Sequence, residues 1–290
     1  MAQTAGTTGL ATCQRIVLAK ARYTAEHNAP AMSLIEHFTL GKGEKTVTVP
    51  KVGTMTVSDL VDGQDITDEQ SIGMTTIDLT SAEVGGKIIV TDKLVRQLNE
   101  SVFAIIGRQL GDAMARKKDT DVHALYSALN SATVFGGTSI AMTATNVAAT
   151  IARAKTMKFG NQIYILHHPY AIYAMIKSGA LIPSQAQPIP DGWSADLLKN
   201  FWTGLRPING VPIFEDGNLG VGTATVGCIA NKDAMCVLEG VKEKTERDRD
   251  PSRRATEIVI TSDYGVFELD NDRGAGMTYD TSAPSTSGSS

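Results

Sequence analysis

The sequence predicts an α+β fold. Short β-patterned runs separated by turn signals occupy residues 45–90, a long proline-free apolar stripe follows, and helices and strands then alternate until two long strands close the chain. With 290 residues, 42% hydrophobic and 20% charged, the chain has the length of about two domains and enough apolar material for a core.

Several classes are excluded at this level. No run approaches the roughly 18–20 apolar residues of a membrane helix; Ile16-Val17-Leu18-Ala19 is flanked by Arg15 and Lys20. The amino terminus has no basic stretch leading into an apolar run, so no signal peptide is expected. Cys13, Cys228 and Cys236 match no paired spacing and predict a reducing compartment, hence cytoplasmic synthesis. A net charge of -4 argues against sequence-specific DNA binding, which needs a basic patch. The dense run over residues 242–254 mixes signs almost residue by residue and reads as a solvated strand end and turn.

In chain order, residues 10–27 carry Leu10, Cys13, Val17 and Ala21 at helical spacing before Pro30. An extended piece is expected over residues 33–38. Thr46-Val47-Thr48-Val49-Pro50-Lys51-Val52 reads as a strand, with residues 74–79 and 87–90 as its returning partners and Pro50 at an edge. Between them, residues 59–69 hold five carboxylates and no basic residue, without the register of a calcium loop, and read as a solvated acidic tip. Such a ribbon is marginal alone in water and needs a surface, on another part of the protein or on another copy of it.

Asp92 or Thr91 caps a helix expected over residues 93–129, with Leu94, Leu98, Val102, Ile105, Ile106, Leu110, Ala113, Met114, Val122, Leu125 and Leu129 in one stripe. It would be about 55 Å long, against a diameter of roughly 50 Å for a compact chain of this size. A turn-rich stretch, Phe135-Gly136-Gly137-Thr138, precedes a helix over 146–157, a strand over 162–166 and a helix over 169–177 opened by Pro169. A polar loop over 179–191, a helix over 195–202 and a strand over 211–214 follow, then long strands over 226–241 and 255–269. The tail over 282–290 reads as disordered or an expression remnant.

No catalytic, cofactor-binding or metal constellation is present in the pattern, and neither an enzyme nor a cofactor is expected. His167-His168 sits at a strand end before Pro169 and reads as a surface or packing pair; no His-Glu-x-x-His or Cys-x-x-Cys occurs. Gly217, Gly220 and Gly222 run into a β-rich segment instead of opening a helix, which argues for a turn and against a phosphate cradle. Ser101 and Ser184 lack a nucleophile elbow.

The order of these elements, with Thr46 to Val52, Gly63-Gln64-Asp65-Ile66, Asp92-Lys93-Leu94, Asn209-Gly210-Val211-Pro212-Ile213-Phe214 and Tyr264-Gly265-Val266, resembles the tailed-bacteriophage major capsid proteins of the Hong Kong 97-type fold. The resemblance covers roughly residues 30–277. It implies an α+β, Hong Kong 97-like capsid fold with an extended β-hairpin loop, a long spine helix, and peripheral and axial domains. The implied division is 1–40 arm, 41–91 extended loop, 92–145 spine helix and first part of the peripheral domain, 146–225 axial domain, 226–278 peripheral return strands, and 279–290 disordered tail.

It further implies a homo-oligomer of pentamers and hexamers in an icosahedral shell that encloses double-stranded DNA without sequence-specific binding, in the virion and away from any membrane. A separate scaffolding protein is expected, because only about 30 residues precede the shell-forming region; a portal protein at one vertex and a decoration protein are the other implied partners. The extended loop would lie across a neighbour through Val47, Val49, Lys51, Val52, Leu60, Ile66, Ile72 and Ile77. Lys42, Lys45 and Lys51 offer amines for a covalent crosslink, but nothing marks an acceptor, and none is expected. The same fold also admits a bacterial encapsulin shell protein, and the α/β region over 162–214 an enzyme or small-molecule binder.

Overall fold

The computed structural model describes residues 29–53, 55, 59, 62, 73–97, 101–178 and 208–285. The expected features over residues 10–27, 179–191 and 195–202, and most of the acidic tip, lie outside them. Helical turn α1 (Ala31–Leu34) leads into strand β1 (Glu36–Thr39), so the extended piece expected from residue 33 begins only at Glu36. Two contacts cause this: Ser33 N bonds the Pro30 carbonyl locally at 3.0 Å, and Ala31 N is captured by the buried carboxylate of Asp119, 88 positions away.

Two strands, β2 (Thr46–Val52) and β3 (Met74–Thr80), form the two-stranded ribbon, with Val47 opposite Leu79 and Val49 opposite Ile77. The third expected ribbon strand is part of β4 (Ala82–Thr91), which belongs elsewhere. It pairs along its whole length with β10 (Ala255–Glu268), whose other edge pairs with β9 (Met235–Asp250); β1 adds in parallel to give the order β1-β9-β10-β4. The correction has a simple cause. The Ile88, Ile89 and Val90 side chains are better covered on a four-stranded sheet over the helical core than on a solvated ribbon.

After β4 come α2 (Asp92–Gln97) and α3 (Ser101–Leu125). The helix expected to run to residue 129 therefore ends at Leu125. Asn130, Ser131 and Ala132 take left-handed backbone (φ 56°, 52° and 60°), and Asn130 N and Ser131 N are held by the carbonyl and side-chain oxygens of Asn271. Leu110, Met114, Val122 and Tyr126 turn inward from α3 and its following turn into a core shared with Val90, Ile258, Ile260 and Tyr264. Replacing Leu110, 9% exposed, by Asp is expected to remove several kcal/mol by burying an unpaired charge. A thermal melt checks this; wild-type melting would mean that the stripe faces solvent.

The second sheet has the order β5-β11-β8-β6-β7, from β5 (Phe135–Gly136), β6 (Ile163–His167), β7 (Ile213–Glu215), β8 (Thr225–Asn231) and β11 (Gly274–Tyr279). The turn expected at Phe135-Gly136 is thus a two-residue strand, parallel to β11. Helices α4 (Ala144–Thr156) and α5 (Pro169–Lys177) bury Val147, Ile151, Ala154, Ala171, Ile172 and Met175 against this sheet. Thr143 caps α4 through its hydroxyl at 3.3 Å from Asn146 N, and Pro169 opens α5 as expected.

The single strand expected over 226–241 is two strands in two different sheets, divided by a tight helical turn at Lys232–Ala234. Residues 225–231 and 274–279 consequently share a sheet with β6 and β7. Residues 279–281, expected within the disordered tail, are instead built into the fold: Tyr279 closes β11, and Thr281 is fully buried, its hydroxyl 2.5 Å from that of Thr225 and its N–H donating to the Gly222 carbonyl at 2.8 Å. No described helix is long and apolar enough to cross a membrane.

Candidate functional site

The ribbon alternates along both strands. On β2, Val47, Val49 and Lys51 are half-buried while Thr46, Thr48, Pro50 and Val52 are exposed; on β3, Ile77 and Leu79 are the covered pair. The covered face packs on Leu238, Cys236, Leu269, Phe38 and Phe267, so the base of the ribbon finds its surface on its own four-stranded sheet. Close approach is needed where the ribbon meets β10, since a Cβ on Gly265 would stand 2.4 Å from the Thr80 carbonyl oxygen. Lys51 Nζ then lies 2.6 Å from Asp270 Oδ1 and 3.4 Å from Asp272 Oδ2. Hydrogen bonding to Asp270 raises the Lys51 pKa, the opposite of what a nucleophilic amine requires.

Of the residues expected to contact a neighbour, Val47, Val49, Lys51 and Ile77 are thus engaged within the chain, and Leu60, Ile66 and Ile72 lie outside the described residues. Val52 remains exposed at 55%. Sequence reasoning missed two residues beside it, Met55 at 56% and Met74 at 60% exposure, which together give the ribbon an uncovered apolar end. Met74 is directly opposite Val52 in the ladder, a pairing the β-pattern alone could have supplied.

A second constellation lies in the interior. Asp119 and His123 are one turn apart on α3, and Asp216 comes from the loop after β7. His123 Nε2 is 2.8 Å from Asp216 Oδ2 and 3.3 Å from Asp119 Oδ2, and both carboxylates are almost wholly buried. Asp119 Oδ1 accepts from Ala31 N at 3.0 Å and its Oδ2 from Asn218 Nδ2 at 3.0 Å; Asp216 Oδ1 accepts from Asn218 N at 2.8 Å. Burial, then the hydrogen bond with Asp216, pushes the Asp119 carboxyl up to about 8. Burial also raises Asp216, but hydrogen bonds from His123 and Asp119 outweigh it and hold that carboxyl below its usual value. Asp119 therefore carries a proton that it shares with Asp216.

The three donor atoms fall within 4.8 Å of one another, a set that a metal ion could use. Each carboxylate oxygen already accepts a hydrogen bond, however, and the arrangement joins α1, α3 and the β7–β8 loop. Nearby Cys228 is buried and pushed up to about 12, so it stays a thiol. His167 is also fully buried and lowered to about 4 by burial, and its Nδ1 accepts from His168 N at 2.9 Å; of the surface and packing roles expected for it, this is the packing one. Gly220 and Gly222 belong to the β7–β8 loop, which runs into β8 as a turn would.

Known proteins place this fold. The sequence profile described as phage capsid protein matches residues 75–276, well over half of the chain. No curated protein matches in sequence. Among solved structures, the capsid of cyanophage P-SCSP1u is similar with a TM-score of 0.67 at 17% identity, over 91% of this chain and 92% of that one. The cyanophage Pam1 capsid follows at TM-score 0.69 and 11% identity, covering 91% and 95%, and the head of Helicobacter pylori bacteriophage KHP40 at 0.68 and 10%, covering 90% and 93%. At such identities these likenesses carry the fold, and the profile carries the family. The mixed α+β architecture and the resemblance seen in the order of its elements both stand, and the chain belongs to the phage capsid protein family.

Proposed function

We propose that this capsid protein assembles as pentamers and hexamers into an icosahedral shell around the double-stranded DNA of a tailed phage. The observation that carries the reading, beside the family, is the ribbon: its base is fixed on its own sheet, and its far end presents Val52, Met55 and Met74 uncovered. An exposed apolar end on an element that two strands cannot stabilise alone is what a subunit contact would cover. The end of the ribbon, including Leu60, Ile66 and Ile72, would then lie across a neighbour, while Val47, Val49, Lys51 and Ile77 hold its base.

In this reading the five-stranded sheet with α4 and α5 forms the axial part, and the four-stranded sheet with α3 the peripheral part. The mild net negative charge suits a container that must enclose DNA without gripping it. A scaffolding protein, a portal at one vertex and a decoration protein are the remaining partners of the proposal, and synthesis would take place in the host cytoplasm. No chemistry is assigned to the buried Asp119, His123 and Asp216, which serve the fold. The test is electron microscopy of the purified full chain at high concentration, with a light-scattering mass. Rings of five and six or closed shells are expected; a stable monomer would overturn the proposal.

A further inference from the structure

A cavity of about 630 Å³ opens where α2 begins and the β9–β10 hairpin turns, lined by Thr91, Asp92, Lys93, Arg96, Arg253 and Arg254. Its charges are unbalanced. Asp92 is matched by Arg249 at 3.0 Å, and Arg253 by Asp250 and Glu257, both at 3.5 Å. Lys93, Arg96 and Arg254 are exposed and form no ion pair among the described residues. The chain also holds the complement: Asp59, Asp62, Asp65, Asp68 and Glu69 occupy a stretch without a single Lys or Arg between Val52 and Gly86.

We propose that residues 59–69 of a neighbouring copy dock in this cationic cavity, which deepens the shell reading and rests on it. The two features of one copy cannot meet. Ala82 pairs with Tyr264 and Thr91 with Ala255, so the ribbon departs at one end of β10 and the cavity lies at the other. The ribbon also points away from the cavity, because Lys51 has already reached Asp270, beyond the Glu268 end of the strand. The 14 residues of β10 span about 43 Å, whereas every carboxylate of the segment lies within ten residues of Val52 or of its ladder partner Met74, a reach of at most about 36 Å even if fully extended backwards. The acidic segment can therefore satisfy this cavity only from another copy.

A duplex is the poorer fit. Its phosphates ask for a track of one sign, while this cavity is compact and bordered by Asp92, Asp250 and Glu257. Lys93, Arg96 and Arg254 surround a hollow of the size that a few carboxylate side chains fill, and each contact across it would be a charge-assisted hydrogen bond. Such pairs set register and partner choice more than raw affinity, a useful property for a ribbon that must find one place on its neighbour.

The experiment is a charge exchange in the full-length chain, read as shell yield by electron microscopy and sedimentation, with thermal melting as the folding control. R96E/R254E is expected to melt like wild type and to lose shells by more than about tenfold; D62K/D65K on the ribbon should do the same. The four substitutions combined should restore shells, since every copy then offers both reversed partners. The neutral R96Q/R254Q should fall in between and serves if the reversed cavity disturbs the hairpin. Normal shells from both reversed variants, or no recovery in the combination when both parents fold, would overturn the docking. So would wild-type shell yield accompanied by loss of retained duplex DNA in R96E/R254E, which would assign the cavity to phosphate. Absence of shells from the wild-type chain itself would be distinct: it would remove the assembly reading, and this inference with it.

Discussion

Replacing residues 54–72 by an Asn-Gly turn is expected to give a chain that folds and melts like wild type and forms no closed shell. The structure supplies both halves of that result. Gly53 N donates to the Gly73 carbonyl at 2.7 Å, so the ladder is still paired at this point and a two-residue turn closes it. Everything that fixes the base survives: Val47, Val49, Ile77 and Leu79 keep their cover on Leu238 and Leu269, and Lys51 keeps Asp270. The change in stability should stay within about 1 kcal/mol, and circular dichroism should report the same helix content. What is removed is the acidic segment and the exposed Met55 beside it. Electron microscopy and sedimentation decide the outcome. Normal particles would overturn the assembly role of the ribbon, and a collapsed melting temperature would show that the segment belongs to the core of its own subunit.

How much of this was legible beforehand depended on whether a signal was local. Strand β6 and helix α5 are visible because a continuous apolar run ends at His168 and Pro169 supplies the first helical position. The alternation of β2 is equally plain, and so is the α+β class. The division of residues 226–241 was not legible, because apolar residues continue on both sides of Lys232–Ala234 and the break serves a change of sheet that only the tertiary structure defines. The end of α3 was hidden for the same reason: Asn271, far along the chain, captures Asn130 and Ser131.

The base of the ribbon shows the limit most clearly. Its valines announced an apolar face, but whether that face belonged to another copy or to the chain itself turned on Lys51 meeting Asp270, 219 positions away. The acid–histidine cluster had one local clue, the spacing of Asp119 and His123, whereas Asp216 lies 93 positions beyond the histidine.

That cluster should make stability depend on pH in a direction that can be worked out. Asp119 titrates near 8 in the folded protein against an ordinary 3.8. Between those values the unfolded chain has released the proton and the native state still holds it. Stability from this group is therefore full below 3.8 and is lost as pH rises toward about 8, with a slope of up to ~1.4 kcal/mol per unit. Asp216, held below its usual value, acts in reverse: its contribution is present above 3.8 and is lost on acidification. The pair is strongest near its crossover and weakens on the alkaline side through Asp119.

Asp119→Asn isolates the effect, because an amide cannot ionise, still accepts from Ala31 N, and donates to Asp216 once the Asn218 amide turns to face it. Melting temperatures between pH 5 and 9 should fall more steeply in wild type than in the variant, and the difference between the two curves cancels the other titrating groups. Parallel curves would mean that both carboxylates are ionised in the native state, and would overturn the shared proton. Because the proton sits where α1, α3 and the β7–β8 loop meet, its loss should first set Asp119 against Asp216 by like-charge repulsion, while the charged carboxylate still accepts from Ala31 N.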